Sequence, residues 1–193
     1  MITQDSNNFV KITEVGPRDG LQNESVILPS FAKIKFINAL NETGLKSIEA
    51  TSFVHPNWIP QLADAEEVYR GIHQLEHIEY PVLVVNQKGY ERAIASNVKK
   101  MSLFVSVSET FSNKNINCSI EDSLSCIKEI SKMAQKDNVK LRAYISCVIE
   151  CPYEGEIQNN KVVEIGQALL DMGVSELSLG DTIGIATPLT SSK

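Results

Sequence analysis

The chain has no apolar run long enough to cross a bilayer, which takes about 20 consecutive apolar residues. Nor has it an excess of positive charge. Lys and Arg number 18 against 24 Asp and Glu, a net charge of -6, which argues against a nucleic-acid partner and against an anionic membrane surface. Its four cysteines, Cys118, Cys126, Cys147 and Cys151, form no C-x-x-C pair. No Arg stands in the nine residues before the first strand, so no signal or transit peptide is visible and the thiols read as reduced and cytoplasmic. No G-x-G-x-x-G follows that strand, which lowers the case for a doubly wound dinucleotide-binding sheet.

What remains is an ordinary globular composition, 42% hydrophobic and 22% charged over 193 residues, and one domain over residues 1–193 is the natural expectation. The pattern alternates strand and helix. Strands are expected over residues 10–15, 45–53, 81–85, 101–107, 139–145 and 174–179, from period-two or continuous apolar runs. Between them, Ser30 is expected to cap a helix with apolar positions Phe31, Ile34, Ile37 and Leu40. Leu62, Ala65, Val68, Tyr69, Ile72 and Leu75 space a second helix, and residues 88–96 a third, stopped at Asn97. Residues 108–118 read as a polar loop. Ser119, with Asp122 three residues on, opens a fourth helix, and Val162, Ile165, Leu169 and Met172 mark a fifth, stopped at Gly173.

Polar groups gather just after these strands: Asp19, Glu49 with Thr51 and Ser52, Asn86, Ser108 with Glu109, Ser146 and Asp181. In a (β/α)8 barrel all of them share the catalytic rim. A full barrel needs about 250 residues and eight strands, whereas about six strands are visible by pattern. The fold expected is therefore α/β, of TIM-barrel type, as an incomplete barrel of about six βα units. A sheet left unclosed exposes its edge strands, so poor solubility, or pairing of copies into a homo-oligomer through that edge, is expected.

The stretch with most chemistry in it is VKITEVGPRDGLQNE, residues 10–24. Gly16-Pro17 stops the strand and places Arg18 beside Asp19 just past its end. A guanidinium and a carboxylate so fixed suit an arrangement in which the Asp holds a hard cation while the Arg forks onto a substrate oxygen. The bland alternative is a pair that tightens a loop.

Together with SIEATSF (47–53), KNINCS (114–119), CPYEG (151–155) and SLGDTIG (178–184), this run resembles the hydroxymethylglutaryl-CoA lyases, a family of metal-dependent TIM-barrel lyases. The resemblance covers nearly the whole chain, in order. It implies a retro-Claisen cleavage of 3-hydroxy-3-methylglutaryl-CoA to acetoacetate and acetyl-CoA, as in leucine breakdown and ketone-body formation. That chemistry needs a base for the tertiary alcohol, a cation for the developing oxyanions and an acid for the thioester enolate. By resemblance, Asp19 is a ligand of Mg2+ or Mn2+, Arg18 stabilises charge on the substrate carbonyl, and Glu49 pairs with Arg18 to hold it. Glu14 and Asp181 are further catalytic acids, Gln22 and Thr182 touch substrate, and Lys114 and Asn115 contact the coenzyme A portion of an acyl-CoA.

The chain departs from the family in what it omits. The family completes its metal site with an H-x-H pair and an Asn, and takes a catalytic Cys from a mobile glycine-rich loop. His55, His73 and His77 are the only histidines here, and none forms H-x-H. His73 and His77 stand four apart on the second expected helix, a spacing able to bind zinc, but a solvated helix end is the simpler reading. Cys147 and Cys151 do not match the catalytic position and read as structural thiols. The expectation is a chain short of full activity that does not retain its cation. The alternatives are an inactive fragment and, on the same fold, an acyl-CoA condensing enzyme.

Overall fold

The computed structural model describes residues 10–188. The readings made above for residues 1–9 and 189–193 fall outside the described residues. In chain order the strands are β1 (Thr13–Glu14), β2 (Ser47–Ile48), β3 (Thr51–Ser52), β4 (Val82–Leu83), β5 (Lys100–Ser106), β6 (Lys140–Ser146), β7 (Glu150–Cys151), β8 (Gly155–Glu156) and β9 (Glu176–Gly180). The helices are α1 (Ser30–Leu40), α2 (Ala65–Gly71), α3 (Gln87–Ala95), α4 (Glu109–Ile116), α5 (Ile120–Asp137) and α6 (Asn159–Asp171).

β1 pairs with β2 in parallel, and β3-β4-β5-β6-β9 form a parallel five-stranded sheet. β2 and β3 are one wall strand interrupted at Glu49 and Ala50. Its backbone stays tied to the next strand throughout, with Ile48 N donating to Glu79 O at 2.9 Å, Ala50 N to Pro81 O at 2.9 Å and Phe53 N to Leu83 O at 2.8 Å. Counted so, β1, β2/β3, β4, β5, β6 and β9 are the walls of an incomplete barrel, as expected from the alternation. β7 and β8 form a short antiparallel hairpin beyond β6.

Period two explains the wall. Met101, Leu103 and Val105 on β5, and Leu141, Ala143 and Ile145 on β6, are buried in one core with Ile127, Ile130 and Ala134 of α5 and Ile165 and Leu169 of α6. Each such side chain contributes about 1.5–3 kcal/mol by leaving water. The alternate positions are mostly polar on both strands: Lys100, Ser102 and Ser106 stand in register with Lys140, Arg142 and Ser146, and Phe104 with Tyr144. The helices thus take the apolar face and the barrel interior is polar. On β9, by contrast, Leu179 is 62% exposed, and Val163 and Leu170 of α6 are exposed near it in sequence.

Helix ends follow local chemistry. Ser119 Oγ accepts from Asp122 N at 3.0 Å and donates to Asp122 Oδ2 at 2.7 Å, so the expected cap is present. Asn97 is left-handed, with φ of 63°, as expected of a stop. Three readings need correction. Ser30 is not the cap of α1: Pro29 precedes the helix in an extended conformation, and Ser30 Oγ donates to Asp64 Oδ2 at 2.7 Å. Residues 109–116 are a helix, α4, because Ser108 Oγ caps it by accepting from Phe111 N at 3.0 Å. The second helix ends at Gly71, with Ile72 extended, so His73 and His77 lie beyond it and share no helix face.

Candidate active site

All wall strands run parallel, so their C-terminal ends share one rim. After β1 the chain does not enter an open loop. It makes a π-helical turn, Gly16–Gly20, in which Arg18 N, Asp19 N and Gly20 N converge on Val15 O at 3.1, 2.7 and 3.3 Å. Gly16 leaves room there for the Glu14 carboxylate. Its N–H donates to Glu14 Oε1 at 2.6 Å, and a Cβ at this position would lie 2.8 Å from the same oxygen. Glu14 is therefore engaged with the turn that presents Arg18 and Asp19.

The centre of the rim is Glu49, 0% exposed. A buried carboxylate needs donors, and it has them: Arg18 Nε on Oε1, and Ser102 Oγ at 2.8 Å with the Tyr144 hydroxyl at 2.6 Å on Oε2. The ion pair expected between Arg18 and Glu49 is thus present. Arg18 Nη1 also donates to Asp19 Oδ1 at 2.8 Å. Burial works against the Arg18 charge, but Glu49 and Asp19 outweigh it and hold the guanidinium above its ordinary pKa. Tyr144 is pushed up to about 12, by burial first and then by the Glu49 charge and hydrogen bond. Its ring centroid lies 5.6 Å from Arg18 Cζ and 5.0 Å from Arg142 Cζ, within cation–π range.

The other expected residues are dispersed around the same rim. Gln22 follows the turn, and its Oε1 is buried without a hydrogen-bond partner. Asp181 follows β9 and engages its own loop, Oδ1 accepting from Ile185 N at 3.2 Å and Oδ2 from Ala186 N at 2.7 Å. Thr182 Oγ1 accepts from Cys147 N at 2.8 Å, fastening the loop after β9 to the end of β6. Lys114 and Asn115 are exposed on α4, where Lys114 Nζ lies 3.9 Å from the centroid of the Tyr153 ring. Cys147 is buried at a φ of 63°, and burial pushes its thiol pKa up. Cys151 is buried too, but the Ser108 hydroxyl, 3.0 Å from its sulfur, and the backbone N–H groups of residues 153 and 154 overcome that burial and lower its pKa.

Sequence reasoning missed Tyr144, Ser102 and Arg142. The signal was there to find: polar or phenolic residues at the alternate positions of β6, and polar ones at three of the four on β5, inside otherwise apolar strands.

A divalent ion finds only part of a site in these residues. Asp19, with its side chain 53% exposed, is an accessible anionic oxygen donor. Among the described residues, however, no three His, Cys, Asp or Glu side chains come together to hold an ion. An octahedral site of about six ligands is not made by this set alone.

A model of the HMGL-like family matches residues 9–193. The human cytoplasmic 3-hydroxy-3-methylglutaryl-CoA lyase is 54% identical over 180 residues, covering 93% of this chain and 49% of the human protein. The mitochondrial hydroxymethylglutaryl-CoA lyase of Gallus gallus is 52% identical over 179 residues, covering 93% of this chain and 60% of its own length. The chain spans about half the length of the curated relatives it matches. Among solved structures, the Bacillus subtilis HMG-CoA lyase superposes with a TM-score of 0.91 at 49% identity, over 94% of this chain and 61% of that one. An Acinetobacter baumannii HMG-CoA lyase, solved with coenzyme A and 3-methylmalate, gives 0.91 at 35% identity, over 95% and 60%.

Proposed function

The chain belongs to the HMGL-like family, and on that premise we propose that it is the part of a hydroxymethylglutaryl-CoA lyase that supplies the guanidinium and the acids of the site. The reaction is cleavage of the C–C bond in 3-hydroxy-3-methylglutaryl-CoA to give acetoacetate and acetyl-CoA. The observation that carries this reading is the Arg18–Glu49 pair with Asp19 beside it on the catalytic rim. The buried carboxylate fixes the guanidinium, and the fixed guanidinium neutralises charge that grows on the thioester oxygen as the bond breaks. Glu14 and Asp181 are the candidate proton carriers, Gln22 and Thr182 the candidate substrate contacts, and Lys114 with Asn115 the candidate contacts for the coenzyme A arm. The family is metal-dependent in general. Mg2+ or Mn2+, with Asp19 as one ligand, is part of the proposal; such an ion supplies Lewis-acid polarisation. The described residues do not complete its sphere. Relatives are named both cytoplasmic and mitochondrial, and no helix of the described residues is long and apolar enough to cross a membrane; we place the chain in the cytoplasm.

The test is a chimera in which this chain replaces the matching segment of the Bacillus subtilis enzyme, assayed for acetoacetate with Mg2+ or Mn2+. Cleavage that is lost in Arg18→Gln is the expected result. A folded chimera that binds Mn2+ and releases no acetoacetate overturns the reading, and condensation of acetyl-CoA with a 2-oxo acid would reassign it. The incomplete ligand set among the described residues favours a second reading for the 193-residue chain itself: an acyl-CoA-binding fragment without turnover. Acetoacetate from that chain alone at the chimera's rate would refute it.

A further inference from the structure

We infer that Tyr144 is a positioning residue that sets the plane of the Arg18 guanidinium by holding it at two points. The lyase reading is needed only for what Arg18 then grips. β6 places Tyr144 in register with Phe104 of β5 and Ser178 of β9. One hold is indirect: the phenol donates to Glu49 Oε2 at 2.6 Å while Glu49 Oε1 takes Arg18 Nε. The other is direct, the ring lying against the guanidinium with Cζ 5.6 Å from its centroid. Glu49 holds Nε, and the hold at Nη1 comes from Asp19, whose side chain is half open to solvent. A ring against the guanidinium adds a hold on its plane.

The ring itself is held. Arg142 stands on it at 5.0 Å, and Arg142 Nη1 is fixed by Thr13 Oγ1 at 3.2 Å and Glu176 Oε1 at 3.3 Å. Two guanidinium groups therefore stand within cation–π range of the Tyr144 ring. With Nε and Nη1 of Arg18 engaged by Glu49 and Asp19, Nη2 is the nitrogen left for a substrate oxygen, and its direction depends on the plane that Tyr144 sets. Ser102 donates to the same Glu49 oxygen at 2.8 Å but has no ring to offer, so it separates the two roles.

The experiment follows the Arg18 Nε–H resonance in the 15N-arginine-labelled chain, assigned by its loss in Arg18→Lys. Tyr144→Phe keeps the ring and removes the donor; Tyr144→Leu removes both. Hydrogen exchange at Arg18 Nε–H is expected to quicken about threefold in Tyr144→Phe and about as much in Ser102→Ala, since each removes one donor to Glu49 Oε2, and about tenfold in Tyr144→Leu, which removes the ring as well. Tyr144→Phe, which keeps the packing, carries the donor half of the test even if Tyr144→Leu fails to fold. Exchange unchanged in Tyr144→Phe overturns the proposal, as do equal effects in Tyr144→Phe and a folded Tyr144→Leu. A chimera that cleaves nothing would sink the lyase reading and leave this measurement to judge Tyr144 by itself.

Discussion

The barrel interior holds two clusters of charge, one at each end. At the N-terminal end, Lys100 Nζ reaches Glu79 at 2.9 Å and Glu176 at 2.8 Å, Lys11 also pairs with Glu79, and Arg142 reaches Glu176 at 3.3 Å. Every member there has an opposite charge in reach, although Arg142 Nε is buried without a hydrogen-bond partner, and the Glu79 side chain is 35% exposed. At the C-terminal rim a single carboxylate, Glu49, is sealed from water and gathers donors from β5, β6 and the turn after β1. Beside it Asp19 is left half open to solvent, and Gln22 keeps an amide oxygen without a partner. The N-terminal cluster shares its charges among several half-open partners, whereas the rim sets one sealed carboxylate beside one open one.

The contrast can be broken by stability measurements. Glu49→Ala strands a buried guanidinium, and urea denaturation is expected to show a loss of about 3–5 kcal/mol. Glu79→Ala breaks half-exposed pairs and is expected to cost about 1 kcal/mol or less. Equal losses would mean that the two clusters are the same kind of object. Acid sharpens the point. Burial alone would raise the Glu79 pKa, but the hydrogen bonds from Lys11 and Lys100 hold it down at about 2, below its usual 4.5. Its contribution is therefore complete above pH 4.5 and disappears as pH falls through about 2. The stability difference between the native chain and Glu79→Gln should shrink over that window in acid titrations followed by circular dichroism. Asp19→Asn is expected to change thermal stability least, by less than about 0.5 kcal/mol. A larger loss would make Asp19 a structural member of the turn.

The unequal legibility of the two ends has a physical origin. Strand–helix alternation and the interrupted barrel were readable, because periodicity is a local property of the chain; the Arg18–Glu49 pair, 31 residues apart, came from the resemblance to a known family. Tyr144, Ser102 and Arg142 were not assigned, because their importance comes from register: only the pairing of β5 with β6 brings Ser102 and Tyr144 to the same carboxylate. α4 was missed for a different reason. Between its cap and Asn117 it carries few apolar residues, so its stripe is too thin to see, and the Ser108 cap with Glu154 Oε1 accepting from Thr110 N at 2.7 Å makes up for it. His73 and His77 were misplaced because the apolar spacing of α2 runs on past Gly71, where the backbone has already become extended.

One peptide plane, the amide joining Val15 to Gly16, controls more than its size suggests. Its oxygen collects three N–H groups and its nitrogen answers Glu14, so the aim of Arg18 and Asp19 is inherited from a group that every amino acid shares. The side chain at position 15 takes no part in these bonds, and a reading of letters alone would overlook the atom on which the turn pivots.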